Sequence, residues 1–206
     1  MLKSIVSLLF VVLGVYGVFT STGHKLPILV AIGLILGLLG DIWLDLKFIY
    51  EDDDKNHRMI YTRAGFITFG IGHILFVFGM LVEYLGKANP LYAVLPMVGA
   101  IVLAIANVFV SKLLKLRFGV LKVDVIVYSI LLFSTPLTAL SLCILTSFKV
   151  TTLIMLLLGG VLFALSDIVL SGTYFGEDHE KPIDFVLNYL TYYSAQFMIA
   201  FSLFFI

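Results

Sequence analysis

Two aspartates stand inside apolar runs with no basic residue within one helical turn. Asp41 lies in Leu38-Leu39-Gly40-Asp41-Ile42-Trp43-Leu44, and Asp167 in Ala164-Leu165-Ser166-Asp167-Ile168. A carboxyl in such a setting is costly, so it is a functional candidate by default. Two carboxyls sharing one cavity would suit acid–base work, one kept protonated as an acid and the other ionised as a base. Other polar residues fall inside apolar runs as well: His73, Asn107, the i,i+4 pair Asp124 and Tyr128, and Ser166 beside Asp167. Asn188, Tyr192 and Gln196 follow at i, i+4 and i+8, which puts them on one helical face. Spacing alone does not say whether the two aspartates meet.

Other chemistries lack their residues. There is no HExxH, and His24, His57 and His179 are expected in loops, which leaves a three-histidine zinc site without ligands. A lone Cys143 excludes an internal disulfide and a multi-cysteine metal site. No G-x-S-x-G elbow is present. Gly40-Asp41 lacks the first glycine of the Gly-x-Gly-Asp of intramembrane aspartyl proteases, since Leu38 stands there. Neither a metal nor an organic cofactor is expected. Several polar residues also have plainer readings. Asn107, Ser166 and Gln196 suit hydrogen-bond glue between helices. Asp45, Glu83 and Asp124 lie near span ends, where hydration suffices, and His73 reads equally as a packing histidine. Gly65, Gly72 and Gly79 recur every seven residues, as a close-packing seam would.

The elements that must position these residues are membrane helices. The 206 residues are 61% hydrophobic and 13% charged, whereas soluble domains carry about 25% charge. Such a chain cannot coat a water-facing surface, which excludes a soluble enzyme and a disordered protein. A net charge of zero leaves no basic excess for phosphate backbones, so no nucleic-acid partner is expected. A hydrocarbon core about 30 Å thick needs roughly 20 apolar residues of helix. Seven such runs can be read, at about 4–20, 27–46, 64–84, 91–110, 123–145, 150–172 and 184–206. The expected fold is therefore an all-α, polytopic membrane bundle of about seven transmembrane helices, forming one domain over 1–206. No A-x-A-like site follows the first run, which reads as a retained helix. The longest loop, about 47–63, carries Glu51-Asp52-Asp53-Asp54 as a solvated run. Ten Lys and Arg fall on the N-terminal side of the spans and three, Lys25, Lys87 and Lys149, on the other. This bias places the N-terminus in the cytoplasm. Six of the seven spans then hold polar groups in the inner half of the bilayer.

Beyond these readings, Leu38–Leu44 followed by Gly65-Phe66 and Gly72-His73-Ile74-Leu75-Phe76 resembles the paired motif of the YhhN-like lysoplasmalogenases. Gly159-Gly160-Val161-Leu162-Phe163-Ala164-Leu165-Ser166-Asp167 resembles that family's Ser-Asp helix, and Leu190-Thr191-Tyr192-Tyr193-Ser194-Ala195-Gln196 its final helix. The blocks follow the family's order and cover most of the chain from about residue 28. The family usually has eight helices, with a Lys-Pro pair opening the second. Lys3-Ser4 and the run after it resemble that second helix with its proline replaced, which leaves no counterpart for the first.

The resemblance implies hydrolysis of the vinyl ether bond of a lysoplasmalogen to a fatty aldehyde and a glycerophospho-headgroup. The substrate would be a lysophospholipid (an alkenyl glycerophosphocholine or glycerophosphoethanolamine) met in the lipid bilayer. Asp41 and Asp167 would be the acid–base pair. His73, Asn107, Asp124, Tyr128, Ser166, Asn188, Tyr192 and Gln196 would support them or bind substrate. Lys112, Lys115, Arg117 and Lys122 could meet the phosphate, although topology alone accounts for them. The rival reading is a small proton-coupled transporter or channel with the aspartates as a relay. Against it, no internal repeat is apparent, and Pro136 is the one clear mid-span proline.

Overall fold

A computed structural model describes residues 2–49, 55–176 and 182–206, with side chains over 4–46, 58–176 and 182–206. Within them lie α1 (Leu2–Thr20), α2 (Leu26–Ile49), α3 (Lys55–Tyr84), α4 (Leu91–Leu113), α5 (Lys122–Leu145), α6 (Thr151–Phe175) and α7 (Pro182–Phe201). Short 3-10 turns, Gly119–Leu121 and Ser202–Phe205, lead into α5 and follow α7. The all-helical bundle and its seven helices agree with the seven apolar runs.

Six helices close a ring through the contacts α1–α2, α2–α3, α3–α5, α5–α6, α6–α7 and α7–α1. The fourth helix stands outside it against α5, with Val94, Leu95, Val98, Val102 and Phe109 among its exposed side chains. The ring has a hydrophobic core, as a soluble domain has, but its outer surface is apolar as well. Exposed isoleucines, leucines, valines and phenylalanines coat it, while Ser7, Asp41, His73, Thr135, Ser166, Asn188 and Gln196 are buried. This is the pattern of a protein whose solvent is lipid.

Five helical segments among the described residues are long and apolar enough to cross a bilayer: Leu26–Leu46, Arg58–Tyr84, Leu91–Leu113, Gly119–Leu145 and Thr151–Phe175. In the first helix the apolar part, Ser4–Thr20, is shorter. The seventh is diluted by the stripe Asn188, Tyr192 and Gln196, and that stripe faces the bundle interior.

Two boundaries differ from the expectation. The second helix runs on to Ile49 and the third includes Lys55 onward, so both ends of the expected loop 47–63 are helical and His57 falls in a helix. The reason is that apolar runs mark the part of a helix in hydrocarbon, and a helix continues past it wherever polar residues can be hydrated. The run Glu51–Asp54 and His179 lie outside the described residues. Pro96 also falls within a helix, near the start of α4, in addition to Pro136 in α5.

The expected glycine seam lies between α2 and α3. A Cβ on Gly65 would stand 2.9 Å from Leu44, one on Gly79 2.9 Å from Leu26, and one on Gly72 3.1 Å from the Gly33 carbonyl oxygen. The last contact brings the two backbones together and fixes the height of α2 against α3. Asp41 is carried two turns along α2 from Gly33.

Candidate active site

Asp41 and Asp167 lie in the same half of the bundle. Asp41 lies toward the C-terminal end of α2 and Asp167 toward that of α6. Both of these ends point toward the end of the ring where α1, α3, α5 and α7 begin, as the bonds from Ser7, Tyr128 and Asn188 to α2 and α6 require.

Asp41 is fully buried. Ser7 of α1 donates to its Oδ2 at 2.5 Å and Tyr192 of α7 at 2.7 Å. Gln196, one turn along α7, donates its Nε2 to the Tyr192 hydroxyl at 3.0 Å. Two glycines of α2 make room for this network. A Cβ on Gly37 would lie 2.9 Å from Gln196 Nε2, and one on Gly40 within 2.6–2.8 Å of the Phe69 ring. The Gly40-Asp41 pair therefore has a steric basis: the aromatic ring lies over the backbone beside the carboxylate. Asp45, one turn further, accepts from Ser4 Oγ at 3.1 Å, so α1 meets both carboxylates of α2.

Asp167 is half-buried and accepts a hydrogen bond from the Tyr128 hydroxyl of α5. Tyr128 also lies within electrostatic range of Asp41. A cavity of about 60 Å³ opens beside Asp167 and Tyr128, walled by Leu44, Phe66, Phe69, Leu132 and Tyr174. Asn107 and Ser129 add polar groups to its wall, Asn107 Nδ2 donating to Ser129 Oγ at 3.4 Å. Asp41 is not on this wall; Phe69, in edge contact with Tyr192 at 6.2 Å, does line it. The structure thus gives each carboxylate its own tyrosine and exposes only one of them to the cavity. Phe163 and His73 fill the space between the phenols, with ring centroids 5.3 Å apart for Phe163 and Tyr192, 4.8 Å for His73 and Phe163, and 6.2 Å for His73 and Tyr128.

The remaining candidates separate by partner. His73 pairs its Nδ1 with Thr135 Oγ1 at 2.9 Å, deep in the ring beside Pro136. Asn188 donates to the Ser166 carbonyl at 2.9 Å and to Ser166 Oγ at 3.0 Å, a clamp between α7 and α6 with no place on the cavity wall. Asp124 is partly exposed and pairs with Arg63 Nε at 3.0 Å. Glu83 lies at the opposite end, where it meets His24 at 2.6 Å and accepts the Lys25 backbone N–H at 3.1 Å. Among the basic residues after α4, Arg117 docks its backbone N–H on the Phe175 carbonyl at 2.8 Å, and its neighbour Phe118 lines the cavity.

Sequence reasoning missed Ser7. The first helix was the one span without an assigned polar group, and a serine flanked by Val6 and Leu8 at the same depth was the available signal. Thr135 and Ser129, the partners of His73 and Asn107, went unassigned because a hydroxyl inside a helix commonly bonds its own backbone.

No curated protein and no solved structure matches this chain. The model of the YhhN family matches residues 1–203, so the match begins with α1, ahead of the motifs that start near residue 28. With its motif residues gathered around one buried end of a helical ring, the chain belongs to the YhhN family.

Proposed function

We propose that this protein is a hydrolase of the lysoplasmalogenase type, cleaving the vinyl ether bond of a lysophospholipid within the membrane. The observation that carries the reading is the asymmetric pair of carboxylates: Asp167 on a small cavity and Asp41 fully buried away from its wall. The family match adds to it, since the family's members are lysoplasmalogenases.

Vinyl ethers hydrolyse through protonation of the β-carbon. In the proposed path Asp167, held by Tyr128, gives that proton, and the α-carbon becomes an oxocarbenium ion. The fixed negative charge of Asp41, kept in place by Ser7 and Tyr192, stabilises this cation where water is scarce. Water adds to the α-carbon and returns a proton to Asp167, which alternates between acid and base much as a glycosidase carboxyl does. The hemiacetal then collapses, and its carbon–oxygen bond breaks. The glycerol oxygen leaves with a proton, and a fatty aldehyde remains. In this path Asn107 and Ser129, on the cavity wall, orient the water.

Purified protein is expected to release aldehyde from a lysoplasmalogen, and less or none from alkyl ether or acyl lysolipids. Asp167→Asn should abolish release and Asp41→Asn should lower it severely, with both variants keeping the melting behaviour of the parent in detergent. Full activity in both folded variants would overturn the assignment. Ion-driven uptake into liposomes without lipid turnover would favour a transporter.

A further inference from the structure

The cavity beside Asp167 holds about 60 Å³, room for a few waters, whereas sites for drug-sized ligands measure roughly 300–1,000 Å³. A lipid cannot fit inside it, so most of the molecule must lie elsewhere. A second and larger hollow, about 260 Å³, lies between α3 and α5 and shares two walls with the cavity, Phe66 and Tyr128. These two rings are stacked, centroids 5.1 Å apart and planes 21° from parallel, and they form the partition between the hollows.

We propose that the α3–α5 groove is the binding site for the hydrocarbon chain of a phosphate-bearing single-chain lipid, reached sideways from the bilayer. This rests on the hydrolase reading above. Ile67, Ile71 and Ile74 of α3 and Val123 and Val127 of α5 line the groove and are exposed. Gly70 forms its floor, where a Cβ would come within 3.0 Å of Leu131. From Phe66 to Ile74 the groove runs about 12 Å along α3, most of the depth of one leaflet of a core about 30 Å thick.

Charge is found at one end. The Arg63–Asp124 pair closes the groove at the end where both helices begin, with the Arg63 side chain 44% exposed. A guanidinium there can turn from a surface carboxylate to a lipid phosphate, for which its fork is better matched. Tyr128 lies one turn deeper than Asp124, about 6 Å along α5. A glycerol backbone spans a similar distance between its phosphate and its ether oxygen. A lipid with its phosphate at Arg63 and its chain in the groove therefore presents its ether carbon to Tyr128 and, past Phe66, to Asp167.

The test uses a 1-O-alkyl lysophosphocholine carrying a diazirine in its chain, which binds without being cleaved. In proteoliposomes its crosslinks are expected to concentrate on peptides of Arg63–Ile74 and Val123–Leu131. Val127→Trp and Ile71→Trp face lipid, so they fill the groove without entering the core. Each should cut that labelling several-fold and raise KM for a lysoplasmalogen with kcat retained. Val102→Trp, on the exposed face of α4, should change neither. Labelling spread equally over α4, or labelling unchanged by both groove variants, would overturn the groove. Groove labelling without aldehyde release from any lysoplasmalogen would keep the groove and overturn the hydrolase.

Discussion

The Tyr192 hydroxyl donates to Asp41 Oδ2 at 2.7 Å, tying α7 to α2 across 151 residues of chain. The bond lies beyond the cavity wall, so its contribution is to hold the carboxylate and not to touch a substrate. Ser7 approaches the same oxygen from α1 at 2.5 Å. Three helices of the ring thus converge on one carboxylate, and its position depends on all three.

Tyr192→Phe tests that convergence. The variant keeps the ring that packs on Phe69 and Phe163 and removes the hydroxyl, which is the donor to Asp41 and the acceptor from Gln196. A hydrogen bond to a charged group contributes about 1.5–3 kcal/mol. Loss of one that steadies the transition-state charge should lower kcat by about 10- to 100-fold. Aldehyde release measures the effect, and KM should move little because Tyr192 does not line the cavity. Unchanged kcat would deny Asp41 its proposed electrostatic role or Tyr192 its hold on it.

Much of this arrangement was legible in the residues. Hydrocarbon thickness sets span length, so seven apolar runs became seven helices, and the seven-residue glycine spacing marked the α2–α3 seam because such a spacing keeps one face. The stripe Asn188, Tyr192 and Gln196 faces inward as expected. What remained hidden was which polar group meets which. The sequence puts Asp41 and Asp167 in the inner half of the bilayer, but only packing decides that Phe69 and Tyr192 screen one of them from the cavity. Ser7 was missed for a related reason: a single hydroxyl costs little in hydrocarbon when its own helix can accept its proton, so it carries no warning of a distant partner. Asp124, Ser166 and Asn188 stand off the wall of the cavity beside Asp167. The first is an ion pair with Arg63 and the other two are a clamp.

Asn188→Ala separates that clamp from the chemistry. Its side chain gives two hydrogen bonds to Ser166, at 2.9 and 3.0 Å, and both join α7 to α6. Interhelical bonds of this kind in membrane proteins average about 0.6 kcal/mol and reach about 1.7. The variant should melt at a lower temperature in detergent while its kcat stays near that of the parent. An inactive variant with an unshifted melt would move Asn188 into the catalytic machinery.

Gly72→Ala and Gly172→Ala should have opposite signs. A methyl on Gly72 meets the Gly33 backbone, its carbonyl oxygen at 3.1 Å and its Cα at 3.8 Å, so no side chain can turn aside to admit it. The helices must separate, and overpacking of this kind costs about 1–3 kcal/mol. Because α2 carries Asp41, the shift should lower activity along with stability. Gly172 is also helical, but nothing lies within 4 Å of the corresponding methyl. There the change removes only backbone freedom and should raise stability by about 0.5–1 kcal/mol. Thermal melting of the two variants side by side measures both signs. Equal effects would mean that the Gly72–Gly33 approach does not set the height of α2 and so does not position Asp41.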